Sequence, residues 1–115
     1  METALHAETL TFTDANFIDD VINSPIPVLV DFGAVWCGVC RAIMPTIDEL
    51  AGEFEGRAKV GAVDVDVSPE LAGSYGIRAM PTLIIFNKGE VVDQIIGRVS
   101  KSELATRLAA HVAPL

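Results

Sequence analysis

Two cysteines separated by two residues, Cys37-Gly38-Val39-Cys40, stand where an apolar run gives way to a helical pattern, and the chain has no other cysteine. The run Val28-Leu29-Val30-Asp31-Phe32 reads as a buried strand by its apolar density. Beyond the pair, Ile43, Ile47, Leu50 and Phe54 recur at helical spacing, which predicts a long helix from about Cys37 to Phe54. A chain so arranged has to turn from strand into helix at the cysteines. The first thiol then lies among free backbone N–H groups and the positive end of a helix dipole, which favours its thiolate. The spacing lets the two sulfurs close a small disulfide ring and reopen it, so dithiol–disulfide chemistry is the first expectation.

Composition narrows the alternatives. A chain of 115 residues that is 50% hydrophobic makes one domain with a packed core of its own. The opening residues Met1-Glu2-Thr3-Ala4-Leu5-His6 have neither a basic n-region nor an apolar h-region, and no apolar run reaches membrane-spanning length. A cytoplasmic protein without membrane association is therefore expected. In a reducing compartment a purely structural disulfide is improbable, which leaves redox activity or metal binding for the pair. Zinc needs four ligands, and beside the cysteines only His6 and His111 remain, each near a terminus, so no metal site is expected. The formal charge of −8 argues against nucleic acid, which requires basic patches.

Along the chain, strands and helices alternate. A short strand at 10–12 precedes a helix carrying Phe17, Ile18, Val21 and Ile22, with Thr13-Asp14 offering N-caps. Pro25 and Pro27 end that helix. Within the long helix, Pro45 removes a backbone donor and predicts a kink. Lys59 to Asp66 reads as a strand. Ser68-Pro69-Glu70 opens a short helix with serine as N-cap, ending near Tyr75-Gly76. Thr82 to Phe86 and Val91 to Ile96 form a hairpin about the turn Asn87-Lys88-Gly89-Glu90. Ser100-Lys101-Ser102-Glu103 is a capping box for a last helix with Leu104, Leu108 and Val112 inward. The order βαβαβαββα predicts an α/β fold: a mixed central sheet, parallel in its crossover part and antiparallel at the late hairpin, with helices on both faces.

From about Leu10 to Val112 the chain resembles the thioredoxin family. The resemblance rests on Val30-Asp31-Phe32, the Trp36 to Cys40 motif, Tyr75-Gly76-Ile77-Arg78, Pro81-Thr82, Gly89 and Gly97. It implies the thioredoxin fold, a central mixed five-stranded sheet flanked by four helices, in a single domain over residues 1–115 with a short extension at 1–7. It also implies a protein-disulfide reductase that binds no cofactor of its own. Its partners would be disulfide-containing proteins and a thioredoxin reductase that draws on NADPH, and it would act as a monomer. Four positions depart from the commonest family pattern: Val39 for proline, Gly33 for tryptophan, Ala62 for a lysine, and Arg98 for a small residue.

Each candidate residue has a chemical reading beside a plainer one. Cys37, at the helix start, is the expected nucleophile, and Cys40, one turn further in, the buried resolving thiol; the plainer reading is two inert core thiols. Asp31 is either a desolvated carboxylate that accepts the Cys40 proton or a strand-end aspartate facing water; the resemblance favours the first. Pro81 is either the first residue of a strand or, as the resemblance implies, half of a cis Met80-Pro81 unit that exposes the Met80 backbone to an extended substrate. Trp36 is expected to border the site, and Gly38 and Gly97 to leave room for a docking peptide. Gly38 and Val39, between the cysteines, are expected to tune the redox equilibrium. His6, His111, Arg78 and Arg98 read as surface residues. Two other functions fit the same motif: an oxidase or isomerase of the same fold, and a non-catalytic binding subunit. The absent leader disfavours the first, and the presence of both cysteines with Asp31 disfavours the second.

Overall fold

A computed structural model describes residues 9–114, so the expected extension at 1–7 and His6 lie outside the described residues. Five strands form one sheet in the order β1-β3-β2-β4-β5. They are β1 (Leu10–Thr11), β2 (Val28–Gly33), β3 (Lys59–Asp64), β4 (Thr82–Asn87) and β5 (Glu90–Ile96). The β1/β3 and β2/β3 pairs are parallel, and β2/β4 and β4/β5 are antiparallel. Three α-helices and one π-helical turn complete the four helical elements: α1 (Gly38–Glu53), α2 (Pro69–Ser74), α3 (Lys101–Ala109) and the turn Ile18–Ile22.

Strand alternation divides the core between the two faces of the sheet. Leu29, Val60, Leu83 and Ile85 face α1 and α3, where Ile43, Ile47, Leu50, Leu104 and Leu108 are buried against them. Val28, Val30, Phe32, Ile84 and Phe86 point the other way, into a cluster with Phe12, Phe17, Val21 and Leu71. The aromatic rings there meet edge-on, with Phe17 and Phe86 5.5 Å apart and Tyr75 and Phe86 5.3 Å apart between centroids.

Local details differ from the sequence reading in several places. The first helix is a five-residue turn closed by the Asn23 N–H to the Ile18 carbonyl. Phe17 and Val21, one turn apart, share its buried face, whereas Ile18 is 61% exposed. Asp14 does not cap this turn. Its carboxylate instead accepts the Leu71 N–H at the start of α2 (3.0 Å), while the Ser68 hydroxyl accepts the Asp14 N–H (3.2 Å). Ser68 therefore occupies the N-cap position of α2 without capping it through its side chain. The strand begun at Lys59 ends at Asp64, where the Asp64 carboxylate accepts the Asp66 N–H and turns the chain. Finally, Val112 packs against the core but lies past the end of α3, which stops at Ala109. Of the capping box, the serine half is present, with the Ser100 hydroxyl accepting the Glu103 N–H (3.1 Å), while the Glu103 carboxylate pairs with Arg107 one turn on. Pro45 lies within α1, which continues as one helix past it.

Gly61 on β3 is where backbone and ring approach most closely. A Cβ there would stand 2.4 Å from Phe12 Cε2 and 2.9 Å from the Leu10 carbonyl oxygen. Neither can retreat, because Leu10 pairs with Gly61 in the sheet and Phe12 is buried. Gly61→Ala is expected to destabilise the fold by about 1–3 kcal/mol through overpacking. Urea unfolding checks this; an unchanged midpoint would mean that β1 is not held at this spacing.

Candidate active site

Strand β2 delivers the chain to the site, and α1 starts it back. The Cys37 N–H bonds the Ala34 carbonyl (3.1 Å), and Cys37 adopts an extended backbone as the N-cap of α1. Its sulfur accepts the Cys40 N–H (3.2 Å), one of the donors that a helix start leaves without a partner. Cys37 and Cys40 are joined as a disulfide with their Cα atoms 5.2 Å apart. Cys37 is half-buried, and Cys40 is 5% exposed.

Asp31 sits beneath the pair. It is 2% exposed, and its Oδ1 has no hydrogen-bond partner. Loss of solvation pushes its carboxyl up to about 7. The solvent-facing alternative for Asp31 is therefore excluded. Gly33 lies between carboxyl and thiol: a Cβ on it would stand 3.1 Å from Cys40 Sγ and 3.8 Å from Asp31 Oδ1. Ala62 is the Cα partner of Asp31 on β3, so no long side chain reaches the carboxylate from that position.

The opposite wall is the Met80-Pro81 peptide, which is cis. The Met80 carbonyl oxygen lies 3.9 Å from Cys37 Sγ, and Pro81 is buried at the head of β4. The Gly97 N–H donates to the Pro81 carbonyl (2.8 Å) with φ +90°, a conformation that favours glycine. Gly38 is exposed, with open space where a Cβ would stand. Around the sulfur, Val35, Trp36 and Val39 form an exposed apolar rim, and Trp36 is 63% exposed. Arg78 and Arg98 are exposed, and His111 is partly exposed.

Two further residues shape the rim. Asp66 Oδ2 accepts the Trp36 indole N–H (2.8 Å), and Arg41 Nη1 donates to the Val35 carbonyl (2.8 Å). Both contacts link the loop before α1 to residues whose local sequence gives no sign of them; Asp66 had read as the end of a strand. Among the described residues, no three of His, Cys, Asp and Glu come together to hold a metal.

An open α/β sheet that presents a CxxC disulfide at a helix start, beside a cis-proline, defines a thiol–disulfide oxidoreductase. Comparison with known proteins narrows the class. The thioredoxin family model matches residues 8–110. The thioredoxin of Pyropia yezoensis is 50% identical over 101 residues, covering 88% of this chain and 94% of that protein. Thioredoxin 1 of Nostoc sp. is 47% identical and the thioredoxin of Synechocystis sp. 46% identical, each over 100 residues, 87% of this chain and 94% of the relative. The chain belongs to the thioredoxin family.

Proposed function

We propose that this protein is a general protein-disulfide reductase, recharged by an NADPH-dependent thioredoxin reductase and acting in the cytoplasm as a monomer of one domain. The observation that carries the reading is the asymmetry of the pair: one sulfur reachable at a helix start, the other buried over an unpartnered carboxyl.

The Cys37 thiolate attacks one sulfur of a substrate disulfide, and the other sulfur leaves as a thiolate. This forms a mixed disulfide. Helix-start N–H groups, the Cys40 N–H among them, stabilise the attacking charge. The substrate segment lies along the apolar rim, with the Met80 backbone offered for strand-like pairing. Asp31, directly or through water, accepts the Cys40 proton, a task suited to a carboxyl that titrates near neutrality. Cys40 then attacks Cys37 Sγ, expelling the second substrate thiolate and closing the Cys37–Cys40 disulfide. Two electrons have passed from the dithiol to the substrate. In this reading Trp36, Gly38, Met80, Pro81 and Gly97 bind substrate, while Gly38 and Val39 set the redox balance.

Reduction of insulin disulfides, driven by NADPH and a thioredoxin reductase, tests the proposal. Catalytic turnover is expected; no acceleration over the reductase alone would overturn it. Val39 sharpens the test. Unlike proline, it supplies an N–H in the first turn of α1, and this donor favours the reduced, ionised pair. A hydrogen bond to a charged group is worth about 1.5–3 kcal/mol, or about 30–60 mV for this couple. Equilibration with glutathione is therefore expected to show Val39→Pro less oxidising than the parent by some tens of millivolts. An unchanged or more oxidising variant would refute the N–H contribution.

A further inference from the structure

Behind the disulfide lies a cavity of about 240 Å³; Asp31 and Cys40 line one part of it, and the reaction just described leaves the rest without a role. Its origin is a pattern in the sheet. Asp31 pairs with Ala62 and Gly33 with Asp64 across β2 and β3. Residues two apart in a strand share a face, so these four positions form one quadrilateral on the side that α1 covers. The two carboxylates occupy one diagonal. The other diagonal holds a glycine and an alanine, and the missing side chains leave the space. Cys40, Arg41 and Met44 of α1 roof it.

The chemistry of the lining selects the ligand. The Asp31 carboxylate is already stripped of water and lacks a partner on Oδ1. A cation drawn to the Asp31 carboxylate from the cavity side gains attraction in a low-dielectric site against the cost of its own desolvation, the acid being already desolvated. Asp64 gives one oxygen to the Asp66 N–H. The ion pairs among the described residues are those of Lys101 with Glu49 and Glu53 and of Arg107 with Asp93 and Glu103, so within that set neither cavity carboxylate is paired. The only cation facing this space from α1 is Arg41, whose guanidinium is engaged by the Val35 carbonyl. Among the described residues, no third His, Cys, Asp or Glu joins these two carboxylates to hold a metal ion. The walls between the carboxylates are apolar: Ala34, Val35, Met44 and Ala62. Two residues along a strand and one strand across, the carboxylate-bearing Cα atoms are about 8 Å apart. A cavity of about 150 Å³ already holds a benzene ring, so this one has room for a short alkyl chain.

We propose that this cavity binds short linear aliphatic diamines in their diammonium form, with one ammonium on Asp31, the other on Asp64, and the methylenes along the apolar wall. Binding ties β2 to β3 beneath the resolving cysteine and holds Asp31 ionised. It is coupled to pH through Asp31, with Asp64 and Arg41 the other charged groups facing the site. Because the ligand selects the carboxylate, affinity falls as pH drops through the Asp31 midpoint near 7.

The test uses the oxidised protein and butane-1,4-diamine, read by carbon-detected NMR of the aspartate carboxyls. A saturable shift at Asp31 is expected, with its titration midpoint lowered by about one unit, equivalent to about tenfold tighter binding at pH 8.5 than at pH 5.5. Asp64→Asn is expected to weaken binding several-fold, and Asp31→Asn, followed by the Gly33 and Ala62 amides, at least tenfold. A linear shift matched by sodium chloride at equal ionic strength would overturn the proposal. So would equal binding of n-butanol, or unchanged affinity in Asp31→Asn. No turnover is measured, so failure here leaves the disulfide-reductase reading intact.

Discussion

Cys37→Ser is expected to lose all disulfide-reducing turnover above background, whereas Cys40→Ser is expected to accumulate one mixed disulfide per molecule with its substrates. The contrast follows from position. Cys37 is the N-cap of α1, with its sulfur within reach of solvent and of the N–H groups that stabilise a thiolate. Cys40 is buried one turn in and can reach only Cys37 Sγ. Without the first sulfur there is no attack, and without the second there is attack but no release. Non-reducing gels and intact-mass measurement after incubation with a disulfide-containing protein distinguish the two. Adduct formation on Cys40 of Cys37→Ser, at the rate seen for the opposite variant, would reverse the assignment.

Asp31→Asn is expected to stabilise the oxidised protein strongly at alkaline pH and little in acid. In the unfolded chain the carboxyl titrates near 3.9. In the fold, burial raises it to about 7. Between those values the native state holds a proton that the unfolded state has lost, so this group makes stability fall as pH rises from about 4 to about 7. Above that range the penalty is constant, at about 4 kcal/mol for a shift of about three units. Asparagine is uncharged throughout. Its advantage should be near zero at pH 4 and approach that magnitude at pH 8, less whatever its own unpaired amide costs in the same site. Denaturant unfolding at both pH values reads the difference directly. An equal effect at pH 4 and pH 8 would mean that Asp31 is not the buried acid. The same substitution is expected to slow release of mixed disulfides at neutral pH, since the nearest proton acceptor is gone.

What was legible in the sequence had a local cause. Continuous apolar runs mark β2 and β4, and Ser100 with Glu103 marks the start of α3, because strand burial and capping act within a few residues. The cysteine pair was legible because its chemistry depends on spacing. What was missed depends on contacts between distant segments. Nothing near Asp14 shows that it serves a helix beginning at Pro69. Nothing near Trp36 names Asp66 as its indole acceptor. Gly33 and Ala62 stood out singly as departures from the family pattern, but only the β2–β3 register sets them on one diagonal and turns two small residues into a cavity. The environment of Asp31 was undecided for the same reason. An aspartate in an apolar strand is buried or exposed according to what covers it, and the covering helix comes later in the chain.

The exchange between Asp14 and Ser68 bears on how the molecule comes together. Helix α2 has six residues, well short of the roughly 12–15 at which an isolated helix becomes marginal in water. The carboxylate that completes its first turn arrives from 57 residues upstream, and its own serine satisfies the Asp14 N–H in return. Neither end of this exchange can form until the chain has closed that loop. Helix α2 is thus completed by a segment far from it along the chain. The turn that follows β1 and the first turn of α2 hold each other, so fraying at either is felt at both. A nascent chain can pair β1 with β3 once Gly61 and Ala62 have emerged, but the Asp14 carboxylate lacks its partner until Leu71 follows.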